Sequence, residues 1–206
     1  MTAREQQKQR TRQALIDAYL TMVRDGGESP TVQQVAEKAG ISVATAYRYF
    51  PNPKSLRDDG STFATRDFPT FEEVLADAGD DPLVRVELLI RTITGLQFAD
   101  EPVWRSVFQM TQERWFAQWE AGGEMVPVRS TARRDGVELA LRPLAGELPK
   151  KDFARLVNAV MLVWGVEAVI ATRDAVGLEP GEALDTMVWA AQALIQAARK
   201  QQEGPA

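Results

Sequence analysis

The 206-residue chain contains neither cysteine nor histidine. Without cysteine it has no disulfide, no thiolate nucleophile and no Cys-ligated zinc. Without histidine it lacks the commonest general base, the commonest metal ligand and the side chain that titrates nearest neutrality. Both absences weigh against hydrolase and metalloenzyme chemistry, so no catalytic residue, metal or cofactor is expected. Also missing is an apolar run long enough to span a bilayer. The longest, residues 159–170, is interrupted by Glu167 and reads as a buried helix. Residues 1–13 are almost wholly polar, so no signal peptide is expected, and a cytoplasmic location is. No segment shows the alternation or the β-branched density of a strand, which leaves an all-α fold.

What is present is a globular composition, 45% hydrophobic and 26% charged, in a chain long enough for a small domain joined to a larger one. The net charge of −5 is unevenly spread. Residues 1–57 hold nine Lys/Arg against five Asp/Glu, a net +4, and residues 58–206 hold fifteen against twenty-four, a net −9. A basic segment on an acidic body attracts phosphates at one end and discourages non-specific wrapping by the other. The expected division is therefore into two domains, a basic 1–57 and an acidic 58–206.

The organising stretch is 31–57, two short helices around a tight turn. Val35, Ala39, Ile41, Ala46 and Tyr49 are apolar or aromatic where two such helices face each other and the body beneath, and Ala36 is small where they cross. Gly40 suits the left-handed end of the first helix, and Thr31 and Ser42 suit the N-caps of the first and second. In a helix-turn-helix the second helix enters the major groove. Ser42, Val43, Ala44, Thr45 and Arg48 lie on its exposed face, and Arg48 alone can pair bidentately with guanine. Ala46 and Phe50 read as core.

The pattern Thr31-x-x-x-Val35-Ala36-x-x-Ala39-Gly40-Ile41-Ser42-x-x-Thr45-x-Tyr47-x-Tyr49-Phe50-Pro51, followed by Lys54 and Leu56, resembles the DNA-binding domain of the tetracycline-repressor (TetR) family. The likeness covers about a quarter of the chain; beyond it only length and helical character agree. It implies a three-helix DNA-binding domain before a helical sensor. It also puts Thr45 and Tyr47 at the DNA, Tyr47 and Tyr49 on phosphates or sugars, and Thr31 and Lys54 at helix N-termini that hold the backbone. The Pro51-Asn52-Pro53 stretch carries one residue more than the family pattern before Lys54.

Elsewhere, residues 1–13 read as a solvated basic arm with Arg4, Lys8, Arg10 and Arg12. The first helix carries the stripe Leu15, Ile16, Tyr19, Leu20 and Val23 and ends at Asp25-Gly26-Gly27. A linking helix starts at Lys54 and stops before Phe68-Pro69. Further helices are expected near 71–78, 82–99, 102–120, 127–145, 150–175 and 181–200, about nine in all once the short ones are merged.

One reader helix touches few base pairs, so specific binding implies a homodimer on a near-palindromic operator. Phe153, Val157, Val160, Met161 and Trp164, with Leu184, Val188, Ala191 and Ile195, are apolar enough to serve as its interface or as monomer core. The family resemblance implies a four-helix dimer contact from these two helices.

In 102–120, Trp104, Phe108, Trp115 and Trp119 form one stripe with Gln109, Gln112 and Arg114 interleaved, and Phe98 and Trp164 can join it. The stripe fits core packing. It also fits a pocket for a small hydrophobic or aromatic effector, and the family's habit of binding effectors among its middle helices favours the pocket. The sequence thus reads as a ligand-responsive DNA-binding regulator, most often a repressor in such a family, released by its effector. The alternatives are a ligand-independent DNA-binding protein and an enzyme using the same pocket, for which Glu113 and Glu120 are the best carboxylates.

Overall fold

The computed structural model describes residues 2–26, 30–64, 66, 68–129 and 131–202, and the regular structure among these residues is helical. Along the chain run α1 (Ala3–Arg24), α2 (Val32–Ala39), α3 (Val43–Tyr49), α4 (Pro53–Ala64), α5 (Phe71–Leu75), α6 (Pro82–Ala99), α7 (Glu101–Ala121) and α8 (Ala132–Leu141). A 3-10 turn (Arg142–Gly146) follows, then α9 (Lys150–Leu162), α10 (Val166–Ile170), a π-helical stretch (Ala171–Val176) and α11 (Pro180–Lys200). The helices divide into two compact units. The first holds residues 1–67 and 100–128, the second 68–99 and 129–206. The first unit thus takes in all of α4 and α7, whereas the sequence reading places α7 and the part of α4 beyond residue 57 in the second domain.

In the first unit α1 is the central element. Its stripe of Leu15, Ile16, Tyr19, Leu20 and Val23 is buried with Val32, Val35, Ala36, Ala46, Phe50, Leu56 and Val103. Burying a side chain of this size stabilises the fold by about 1.5–3 kcal/mol, so this cluster sets the positions of α2, α3, α4 and α7. Polar ties fix α7 further. Arg24 forks onto Asp100 at 2.6–3.1 Å, and the Tyr19 hydroxyl lies 2.9 Å from Ser106 Oγ. Two oppositely directed ion pairs join α4 to α7, Arg57 with Glu113 at 2.7 Å and Arg114 with Asp58 at 3.0 Å.

Two expectations are corrected here. The basic arm is the first part of α1, because Thr2 and Glu5 form a capping box that starts the helix at Ala3. Gly27, the last residue of the expected helix end, lies outside the described residues. Glu113 and Arg114, read as a candidate carboxylate and an effector anchor, are instead partners of α4.

The second unit is built around α6, which is apolar on nearly every side and packs against α5, α8, α10 and α11. Arg85 is buried, yet it donates to the carbonyls of Gly79, Leu139 and Ala140 at 2.8–3.1 Å and so closes the C-terminal end of α8. The helix expected over 150–175 is not continuous. It breaks at Val163-Trp164-Gly165, where Gly165 adopts φ +99°, and α9 bends by 44° from the segment after it. The helix expected over 127–145 begins only at Ala132 and tightens into the 3-10 turn after Leu141, where Pro143 follows. With these breaks the described residues hold eleven α-helices rather than about nine. Among them no single helix is long and apolar enough to cross a membrane, although the bent pair 150–162 and 166–176 passes on length and composition.

Candidate nucleic-acid interface

The helix-turn-helix is held by local hydrogen bonds that the sequence specifies residue by residue. At the start of α2 the Gln34 N–H donates to Thr31 Oγ1 at 3.2 Å, and the Thr31 N–H donates to Gln34 Oε1 at 2.9 Å. At its end Gly40 takes φ +65°, which lets the Ile41 N–H reach back to the Ala36 carbonyl at 2.9 Å. Val35 and Ala36 are fully buried beneath the turn. The chain then enters α3 through Ser42, whose Oγ accepts from the Thr45 N–H at 3.3 Å. The same hydroxyl donates to Thr45 Oγ1 at 2.9 Å, so the cap also orients the Thr45 side chain.

Helix α3 shows one buried and one open face. Ala46 and Phe50 are buried, Val43 and Tyr49 are partly buried against the same core, and Thr45 is half-buried. Ser42, Ala44, Tyr47 and Arg48 face solvent, with Tyr47 46% exposed. The Arg48 guanidinium lies 5.8 Å from the centre of the Tyr49 ring, a cation–π distance that steers its long side chain along the helix. Lys54 is exposed in the first turn of α4, whose start is held by Asn52: its Oδ1 accepts from the Ser55 N–H at 2.8 Å. The additional residue of the Pro51-Asn52-Pro53 stretch thus provides a capped, proline-led entry into α4. Arg12 is paired with Asp59 and lies 5.9 Å over the Phe50 ring, so it buttresses the unit, while Arg4, Lys8 and Arg10 are exposed on α1.

This arrangement, a buried first helix under a solvent-facing second helix that is capped by Ser42 and carries Arg48 in its last turn, can present side chains to a DNA groove. Comparison with known proteins agrees with it. No model of a known protein family matches the chain. A curated relative, the HTH-type transcriptional repressor KstR of Rhodococcus jostii (strain RHA1), is 29% identical over 160 residues, which cover 77% of this chain and 70% of the relative. Over that span the chain is similar to a transcriptional repressor. A crystal structure of a TetR transcriptional regulator from Rhodococcus sp. RHA1 superposes with a TM-score of 0.55 at 19% identity, covering 92% of this chain and 97% of the other, and speaks for the fold alone.

The residues read as lining an effector pocket are distributed over both units of the chain. In the first unit Trp104 and Phe108 are half-buried on α7 and Gln112 is exposed. Trp115 and Trp119 stack at 5.6 Å with Phe116 edge-on to Trp115, and Trp119 is 65% exposed. Phe116 belongs to that cluster and lies off the four-residue spacing that singled out the tryptophans. In the second unit Phe98 packs at the edge of the core. Trp164 is buried at 2% exposure, edge-on to Phe71 at 6.2 Å.

The interface candidates divide by face. Val157, Val160, Trp164, Val188, Ala191 and Ile195 are already buried within the single chain, and Phe153, Met161 and Leu184 are partly buried against that core. The same two helices carry large apolar side chains on their outer faces that sequence reasoning passed over, Leu162 at 81% and Trp189 at 71% exposure. Among the described residues no cluster of three acidic side chains is suited to a metal ion.

Proposed function

We propose that the protein is a ligand-responsive repressor that binds a near-palindromic operator as a homodimer and is released by a small hydrophobic or aromatic effector. Residues 1–57 serve as its DNA-binding domain and residues 58–206 as the effector-binding and dimerisation domain, and it acts in the cytoplasm. The observation that carries the reading is α3. It is capped by Ser42, anchored by Ala46 and Phe50, and open to solvent at Ser42, Ala44, Tyr47 and Arg48. On this reading Arg48 pairs with a guanine, Ala44 or the Thr45 methyl touches a thymine methyl, and Tyr47, Tyr49, Thr31 and Lys54 hold sugars and phosphates. The repressor named above supports the sign of regulation by its own printed name.

A dimer places two copies of α3 about 34–36 Å apart, one turn of the duplex. Leu162 and Trp189, on the outer faces of α9 and α11, are the side chains that a second copy would cover. The effector acts by preferring one of two conformers of α4, and its effect on operator affinity cannot exceed its difference in affinity for those conformers. Selection of bound duplexes from a randomised library tests the core of the reading. A palindrome with half-sites about one helical turn apart, with relaxed preference at one position for Arg48→Ala, is expected. Failure to enrich any sequence at low salt would remove the reader role.

A further inference from the structure

Three polar atoms in the second unit are buried without a hydrogen-bond partner: Thr94 Oγ1, Gln97 Oε1 and Trp164 Nε1. Their residues are 0%, 6% and 2% exposed. Leaving such a group unpaired costs about 1–3 kcal/mol, and each instance calls for an explanation. All three lie on α6 or at the break after α9. Thr94 and Gln97 lie one turn apart on one face of α6, and α6 packs on α10, the helix that Trp164 and Gly165 lead into. Trp164 belongs to the same contiguous core as Ile90 and Ile93, with Phe98 at its margin.

The backbone beside Trp164 is also irregular. The helix breaks there, Gly165 adopts φ +99°, and a π-helical stretch follows over Ala171–Val176. Widened helix turns of this kind occur mostly where a helix has been adapted to a function. The break has its own support. The Trp164 carbonyl accepts from Arg133 at 3.1 Å, and Glu167 engages Arg133 at 2.6 Å and Arg129 at 2.5 Å. The backbone at the break is therefore satisfied while the indole N–H next to it is not.

We propose that Trp164, Gln97 and Thr94 are the polar reading groups of an effector site inside the second unit, and that the effector they fit is an uncharged, largely apolar molecule bearing a carbonyl and a hydroxyl oxygen. This rests on the effector half of the proposed function and specifies its chemistry. The three free atoms are a donor, an acceptor and a hydroxyl, each on a neutral side chain. The indole N–H donates to a carbonyl, Gln97 Oε1 accepts from a hydroxyl, and Thr94 Oγ1 serves either. A carboxylate would be set against the Gln97 oxygen and an ammonium against the indole N–H. The surrounding Ile90, Ile93 and Phe98 take the apolar frame.

The test uses the full-length protein and four probes on one frame: diphenylmethane, benzophenone, 4-(hydroxymethyl)benzophenone and 4-benzoylbenzoate. In probe-free protein, Thr94→Val and Gln97→Leu are expected to raise the melting temperature by about 2–4 °C, because each removes an unpaired polar group. The Trp164 indole N–H resonance, identified by its loss in Trp164→Phe, is expected to shift with the two neutral ketones and not with diphenylmethane. Affinity should rise about tenfold from diphenylmethane to the hydroxymethyl ketone, and Thr94→Val and Gln97→Leu should flatten that order.

A fall in melting temperature for Thr94→Val and Gln97→Leu, preferential binding of the benzoate, or an indole signal unmoved by every probe overturns the proposal. If a probe releases operator DNA equally from the wild type and all three variants, the effector reading stands and this site does not. If no probe moves either the indole signal or operator binding, both fall for this class of ligand.

Discussion

Arg48 on the reader helix and Lys54 at the start of α4 are both exposed cations to which the proposed function gives different work, and a salt titration separates them. A bidentate pair with guanine discriminates by about 1–3 kcal/mol, whereas a phosphate contact adds affinity on every sequence. Arg48→Ala should lose that discrimination at one base position. Lys54→Ala should weaken all duplexes alike and reduce the slope of log affinity against log salt by about 1, read by fluorescence anisotropy between low and moderate salt. Equal loss of sequence preference in both variants would assign both to the backbone. Gly60 shows a different kind of residue-level constraint. A Cβ there would stand 2.7 Å from two carbons of the Tyr19 ring, which is itself buried. Gly60→Ala should therefore destabilise the protein by about 1–3 kcal/mol in urea titration, and an unchanged midpoint would show that the ring moves freely. The reader's caps at Thr31, Gly40 and Ser42 were legible because each depends on its own side chain or lack of one. Gly60 was not, because the ring that excludes a side chain comes from a helix forty residues earlier.

At the scale of elements, α1, α2, α3, α6, α7 and α11 were legible because their apolar spacing or their caps are local. The break between α9 and α10 was hidden inside an apolar run whose single interruption, Glu167, falls three residues past it. The group that satisfies the Trp164 carbonyl at the break is Arg133, some thirty residues earlier in the chain and itself held by Glu167. The arm at 3–13 was misread although its capping box, Thr2 and Glu5, stands in the sequence, since a polar, basic stretch looks like solvated chain when no apolar stripe marks it. The tie between α1 and α7 gives a pH test. Burial holds the Tyr19 phenol above its ordinary value of 10.0, partly offset by the hydrogen bond with Ser106. A raised folded value means the native state keeps the proton longer, so this contribution is intact below about pH 10 and is lost as pH rises from there through the folded value. Tyr19→Phe should lower stability by about 0.5–1.5 kcal/mol at pH 7.5. The deficit should shrink at pH 10.5, as urea midpoints at the two pH values would show. A deficit that grows with pH contradicts the assignment.

For the whole molecule, one small reader reaches useful specificity on the proposed reading by pairing with a second, and the outer faces of α9 and α11 are where that proposal puts the contact. Most of the apolar residues first noticed on these helices are spent on the protomer's own core. What remains outside is Leu162 and Trp189, both large and both mostly exposed. Large aromatic and aliphatic side chains of this kind anchor interfaces, and a symmetric contact would use each twice. Introducing a charge at either should oppose association, because an unpaired carboxylate must then be desolvated. Trp189→Glu should convert a dimer mass to a monomer mass in light scattering at micromolar concentration, with helix content unchanged by circular dichroism. Leu162→Glu should act in the same direction. Because a monomer carries a single α3, the same variants should lose operator affinity steeply on the full palindrome while keeping whatever weak affinity the wild type has for an isolated half-site. If Trp189→Glu and Leu162→Glu together leave the dimer intact, the two copies meet elsewhere. If the wild type is itself a monomer that binds its operator tightly, the requirement for paired readers fails.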